Sequence, residues 1–162
     1  MPLIPLSRTV GNLFPHLIPP SPQSTYAIWP VWRDSTTKQV KFQPMPKKQA
    51  VRLWHDARRF ERQTREKGKQ DGAIGRNGLA VLQALLFDFL NYASGALYPS
   101  HAAIAERACI CERSVERGLD ALKRSGVVNW LRRAVEDCRN GGFILRQITN
   151  AYAVLPCSQW RG

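Results

Sequence analysis

A mainly α-helical fold closed by one small β-hairpin is what the sequence predicts, on three observations. Apolar residues recur at helical spacing through residues 79–93, 101–107 and 112–124. Serine and glycine punctuate these stretches at Ser94-Gly95, Ser100 and Gly126. Two β-prone runs, "VVNWLRR" and "FILRQITNAYAVL", then follow, joined by "AVEDCRNGG". With 162 residues the chain has room for one domain with a real core, plus an arm.

Nine of the eleven prolines lie within residues 1–46, so this stretch reads as a proline-rich arm rather than a helix. Its Leu3, Ile4, Leu6, Leu13, Phe14, Leu17 and Ile18 are too apolar for a purely solvated tail and could pack on the domain, on a second copy or on a protein partner. "TYAIWPVWRDSTTKQVKFQPMP" offers two short β-prone runs about a turn at Asp34-Ser35-Thr36-Thr37, which predicts a hairpin with Pro30 at its edge. Residues 47–75 form the next segment, a basic amphipathic helix over 47–67 and a glycine-rich connector. Ala50, Leu53, Trp54, Ala57 and Phe60 share one face, and Lys48, Arg52, His55, Arg59 and Arg62 the other, with Asp56 and Glu61 projecting elsewhere. The connector "GKQDGAIGRNG" lacks a Gly-Lys-Ser/Thr ending and follows a helix, so it is a poor nucleotide loop.

Residues 76–157 make up the third segment. Asn77 is the expected N-cap of a core helix from Leu79 to about Ala93, apolar nearly all round. Ser100 caps a helix over 101–107 that carries Ala102, Ile104, Ala105 and Ala108. A helix over 112–124 buries Val115, Leu119 and Leu122 and stops at Gly126. Three helices followed by a hairpin make a winged helix-turn-helix.

The net charge of +12 favours a polyanionic partner, nucleic acid before membrane. Its distribution says more than its size. Residues 46–76 hold ten basic and four acidic side chains, half of the whole excess, whereas residues 77–157 hold nine and seven.

"PSHAAIAERACICERSVERGLDALKRSGVV" resembles the helix-turn-helix of winged-helix proteins from bacterial plasmid, phage and regulatory contexts. Pro99, Ser100, Ile104, Ala105, Arg113, Ser114, Val115, Leu119, Leu122 and Gly126 match the pattern, and "ITNAYAVL" resembles the strand returning from the wing. The likeness covers about residues 76–156, and "GRNGLAVLQALLFDFLNYASG" is similar to replication-protein-like members. The chain departs from the pattern at Cys109, where glycine is usual in the turn, and at Cys111, where serine usually caps the second helix. The resemblance implies double-stranded DNA as partner, in replication initiation or transcription regulation.

In such a unit the second helix lies in the major groove. Arg113, Ser114, Glu116 and Arg117 occupy its first half and are the expected base readers, since arginine can fork onto guanine and glutamate can accept from cytosine. Gly118 is expected to permit close approach to the bracing helix before it. The plainer alternative is a solvated helix, because residues 112–124 carry four basic and three acidic side chains that could pair at i,i+3 and i,i+4. So nearly neutral a unit contributes little counterion release. That leaves the phosphates to Lys48, Arg52, Arg59 and Arg62 of the basic helix and to Arg132, Arg133 and Arg139 of the wing, with Arg146 nearby.

No enzyme is expected. His16, His55 and His101 are scattered, and none of Tyr26, Tyr92, Tyr98 and Tyr152 stands beside a histidine cluster that could activate it. Cys109, Cys111, Cys138 and Cys157 lack the paired spacings of zinc sites and read as buried or indifferent thiols, so no metal or cofactor is implied. No segment has the length or apolarity of a membrane span or the build of a signal peptide, which predicts a cytoplasmic protein of bacterial or phage type. The competing function is a non-enzymatic protein-docking module on the same fold, with the arm and Trp29 and Trp32 as its contact surface.

Overall fold

A computed structural model describes residues 35–139 and 142–162, the side chains of residues 35, 139 and 142–144 excepted, and among these described residues the chain forms four α-helices and a β-hairpin. The arm with Trp29 and Trp32, and the first β-prone run, lie outside the described residues, as do the side chains of Arg139, Phe143 and Ile144. In chain order the elements are β1 (Ser35–Thr36), α1 (Lys47–Gln63), α2 (Gly75–Ala84), a π-helical turn (Leu85–Phe89), α3 (His101–Ala108), α4 (Glu112–Arg124), β2 (Val128–Arg139), β3 (Gly142–Val154) and a final 3-10 turn (Cys157–Gln159). The chain divides into two units, a larger one of residues 39–131 and 149–162 and a smaller one that contains 35–38 and 132–148. Among the described residues no helix is long and apolar enough to cross a membrane.

The larger unit is built on α2, α3 and α4, which pack on one another, with α1 laid against α2 and the π turn. Its core joins Val81, Leu82, Leu85 and Leu86 to Ile104 and to the Val115–Leu119–Leu122 stripe, and Val127, Val128 and Tyr152 close it. The helix over 112–124 stands where the pattern placed it, and the one expected over 101–107 runs one residue further, to Ala108. Ser100 caps α3 by accepting the Ala103 N–H at 3.1 Å. Gly126, at φ +72°, ends the turn after α4.

Between α3 and α4 the chain needs one left-handed residue, and Cys109 supplies it at φ 53° and ψ 43°. It is the one non-glycine residue with positive φ among those described. An L side chain pays about 1–2 kcal/mol there, so Cys109→Gly is expected to raise stability by about 1 kcal/mol, net of the greater freedom of glycine in the unfolded chain. An upward shift of the urea midpoint at unchanged slope checks it.

The second helix begins elsewhere than expected. Asn77 does not cap it, because α2 already starts at Gly75. The cap comes from fourteen residues upstream: the Glu61 carboxylate, buried at 2 % exposure, accepts the N–H groups of Gly72, Ile74 and Gly75. Thr64 completes the clasp by accepting the Ala73 N–H at 2.9 Å and donating its own hydroxyl to the Phe60 carbonyl. That back-bond coincides with the end of α1 at Gln63, four residues short of the predicted helix. At the other end of α2 the spacing of bonds widens into the π turn, so the helix predicted to reach Ala93 ends at Phe89.

Gly118 makes a close approach, but to α2 rather than to the bracing helix. A Cβ there would meet the Asn77 carbonyl oxygen at 3.0 Å and Val81 Cγ2 at 3.1 Å. Gly78 faces the same crossing, with the Gly118 oxygen 3.4 Å from where its Cβ would stand.

The strands run through the segment read as their connection, with β2 continuing over residues 134–139. In the smaller unit β1 pairs in parallel with β2, Ser35 opposite Arg132 and Thr36 opposite Arg133. The turn expected at residues 34–37 is therefore partly strand, and residues 39–46 form no second strand. Thr36 ends β1 by accepting the Lys38 N–H on its own hydroxyl, at 3.1 Å. In the larger unit the Tyr152 N–H of β3 donates to the Leu97 carbonyl at 2.9 Å.

Candidate functional site

The first half of α4 combines a buried anchor with an open face. Val115, Leu119 and Leu122 are 0–2 % exposed, which fixes the helix's rotation about its axis. Glu112, Arg113, Glu116, Arg117 and Asp120 are consequently exposed, while Ser114 is half-buried. None of the exposed five forms an ion pair within 4 Å, so the i,i+3 and i,i+4 lattice of a self-neutralised helix is not made. The last turn is different. Lys123 sits over the Trp130 ring at 4.3 Å, and Arg124 donates its Nε to the Asp120 carbonyl at 3.4 Å.

Cys111 occupies the N-cap position with extended backbone, but its side chain caps no backbone amide. The thiol instead lies 3.3 Å from the Ser114 hydroxyl. That hydroxyl, with backbone help from Ser114 and Arg113, holds the exposed Cys111 thiol below the ordinary cysteine value. Cys157 goes the other way: partial burial, and then the Asp56 carboxylate 3.6 Å away, push its thiol up. All four cysteines are free and exposed, which corrects the buried reading.

On α1 the predicted face stands open: Lys48, Arg52, His55, Arg59 and Arg62 are all exposed. Both acids of this helix are drawn away from it. Glu61 turns inward to the α2 cap, and Asp56 is half-buried beside Cys157. A cavity of about 900 Å³ adjoins this helix, with Lys41, Lys48 and Arg52 among its lining and Met45, Leu53 and Leu155 as apolar wall.

One further arginine joins the α4 surface without having been singled out by sequence. Arg76, in the first turn of α2, lines a concavity of about 220 Å³ together with Arg117 and Arg124, which the helical wheel puts on the open face of α4. No periodicity within one helix points to such a grouping, since it depends on how α2 crosses α4.

The smaller unit carries the remaining candidates. Arg132 and Arg133 are half-buried on β2 and engaged in interactions there, rather than standing free. Arg146 is exposed and pairs with Asp137 at 3.6 Å.

The groups that enzymatic readings would use are dispersed. His55 is on the open face of α1 and His101 at the start of α3, while Tyr152 is 1 % exposed in the core, where burial pushes its phenol up. Among the described residues no group of three or more His, Cys, Asp and Glu side chains is arranged to hold a metal ion. No family model, curated protein or solved structure matches the chain.

Proposed function

We propose that the chain binds double-stranded DNA sequence-specifically through a winged helix-turn-helix, in which α3 and α4 are the helix-turn-helix and the β2–β3 hairpin is the wing. One observation carries the reading: the first half of α4 offers Arg113, Glu116 and Arg117 unpaired on a helix whose rotation is set by its buried stripe. Ser114, half-buried beside Cys111, belongs to the same turn. Lys48, Arg52, Arg59 and Arg62 on the acid-free face of α1 supply phosphate contacts, and Arg132, Arg133 and Arg139 of the hairpin are assigned to phosphates or to the minor groove. The role is replication initiation or transcription regulation in a bacterial or phage setting, without catalysis.

The test is affinity for random duplex across a salt series. With the four α1 cations each neutralising one phosphate, the log–log slope is expected at about −3.6 or steeper. A slope near zero sinks the reading and favours a protein-docking module. Mapping bound sites over a genome then separates the two roles, a single origin-like locus arguing replication and a set of promoters arguing regulation.

A further inference from the structure

The crossing of α2 and α4 brings Arg76 to a concavity that Arg117 and Arg124 of α4 also line. Arg117 and Arg124 lie on one stripe of α4 with Ala121 between them, and Arg76 comes from the first turn of α2. Gly78 and Gly118 bring the two helices together here, because a side chain at Gly118 would run into the Asn77 backbone. All three arginines are exposed, and none has an ion-pair partner within 4 Å.

The acid lining this concavity is Asp71, and its carboxylate accepts the backbone N–H of Arg76 at 3.2 Å. The amides of Ile74 and Gly75 at the helix start are occupied by Glu61. An anion seated here would thus be held by side chains, and guanidinium is the group whose planar fork matches a phosphate in bidentate fashion. Room is adequate: 220 Å³ corresponds to about seven waters at roughly 30 Å³ each. Arg76 also lines a second concavity that includes Arg65 and Gln70, so it stands between the end of α1 and the α4 stripe.

We infer that Arg76, Arg117 and Arg124 form a clamp for one backbone phosphodiester of the bound duplex. This rests on the DNA-binding reading and alters it at one residue. Arg117 grips the backbone, leaving Arg113 and Glu116 to read bases. The clamp ties the register of α4 on the duplex to the α2 crossing, which the two glycines hold close.

Arg76→Ala, Arg76→Gln and Arg117→Ala in the full chain test it, each checked for an unchanged unfolding midpoint. Fluorescence anisotropy then gives affinities for random duplex and for a site selected from random sequence, across salt. Each variant is expected to lose affinity for both duplexes by the same factor and to lower the salt slope by no more than about 0.9, the whole contribution of the single phosphate the three side chains share. If the Arg76 variants keep wild-type affinity and slope while Arg59→Ala weakens binding, DNA binding stands and the clamp falls. If Arg117→Ala collapses the preference for the selected site, that residue reads bases and the assignment is overturned. Inorganic phosphate at matched ionic strength should compete no better than chloride. Competition specific to phosphate, and lost in Arg76→Ala, would identify a free-anion site instead. A wild-type chain without salt-dependent binding removes both readings together.

Discussion

Arg113→Ala is expected to cut the ratio of affinities for a selected site and for random duplex by between about 5- and 150-fold, corresponding to about 1–3 kcal/mol of lost discrimination. The unfolding midpoint should stay put, because the side chain is exposed and makes no ion pair. The size follows from geometry. Val115 two residues on is fully buried and holds the helix against rotation, so the Arg113 fork approaches from a set direction. A fork that meets the wrong base leaves its donors desolvated and unpaired, and that penalty is the source of specificity. Replacing Arg52, Arg59 and Arg62 together should behave differently, weakening both affinities alike and lowering the salt slope by about 2.7. If Arg113→Ala keeps full discrimination, α4 does not read the sequence and the docking reading gains.

Glu61→Ala is expected to be the most destabilising single truncation on α1, at about 3–5 kcal/mol. Three backbone amides lose a charged acceptor at once, and hydrogen bonds to charged groups contribute about 1.5–3 kcal/mol each before solvent repairs any of them. Repair is poor here, because Glu61 and Ile74 are each 2 % exposed. Glu61→Gln keeps one acceptor oxygen of the two and should cost roughly half as much. Denaturant unfolding measures both, and amide exchange in α1 should accelerate in step with the loss. A cost below about 1 kcal/mol for the alanine variant would mean that the connector is held by other contacts.

These two residues also mark the limits of what is legible in the sequence. Helices α3 and α4 were legible almost to the residue, because their signals are local: a serine cap, a left-handed stop and an apolar stripe at helical spacing. The start of α2 was not, since its cap is a glutamate on another helix and Asn77 offered a plausible local substitute. The π turn was hidden for a different reason. A segment apolar on every side carries no phase, so a slip in helical register leaves no trace in its pattern. The short β1 strand failed because parallel pairing joins residues nearly a hundred apart. At the candidate site, the exposure of Arg113, Glu116 and Arg117 followed from the helical wheel, whereas the grouping of Arg76 with Arg124 follows only from packing.

The hairpin has a bearing on aggregation. A long exposed strand edge is a template on which further strands can add. Here the row of β2 facing away from β3 is already engaged by β1 at Arg132 and Arg133, and the β3 amide of Tyr152 is taken by the Leu97 carbonyl. Within the smaller unit the outer row of β2 is thus interrupted by the chain's own β1, and within the larger unit the end of β3 is tied to the loop at Leu97. A second copy that tried to add to β2 in the smaller unit would find that row already taken at Arg132 and Arg133, so this edge is blunted against edge-to-edge growth.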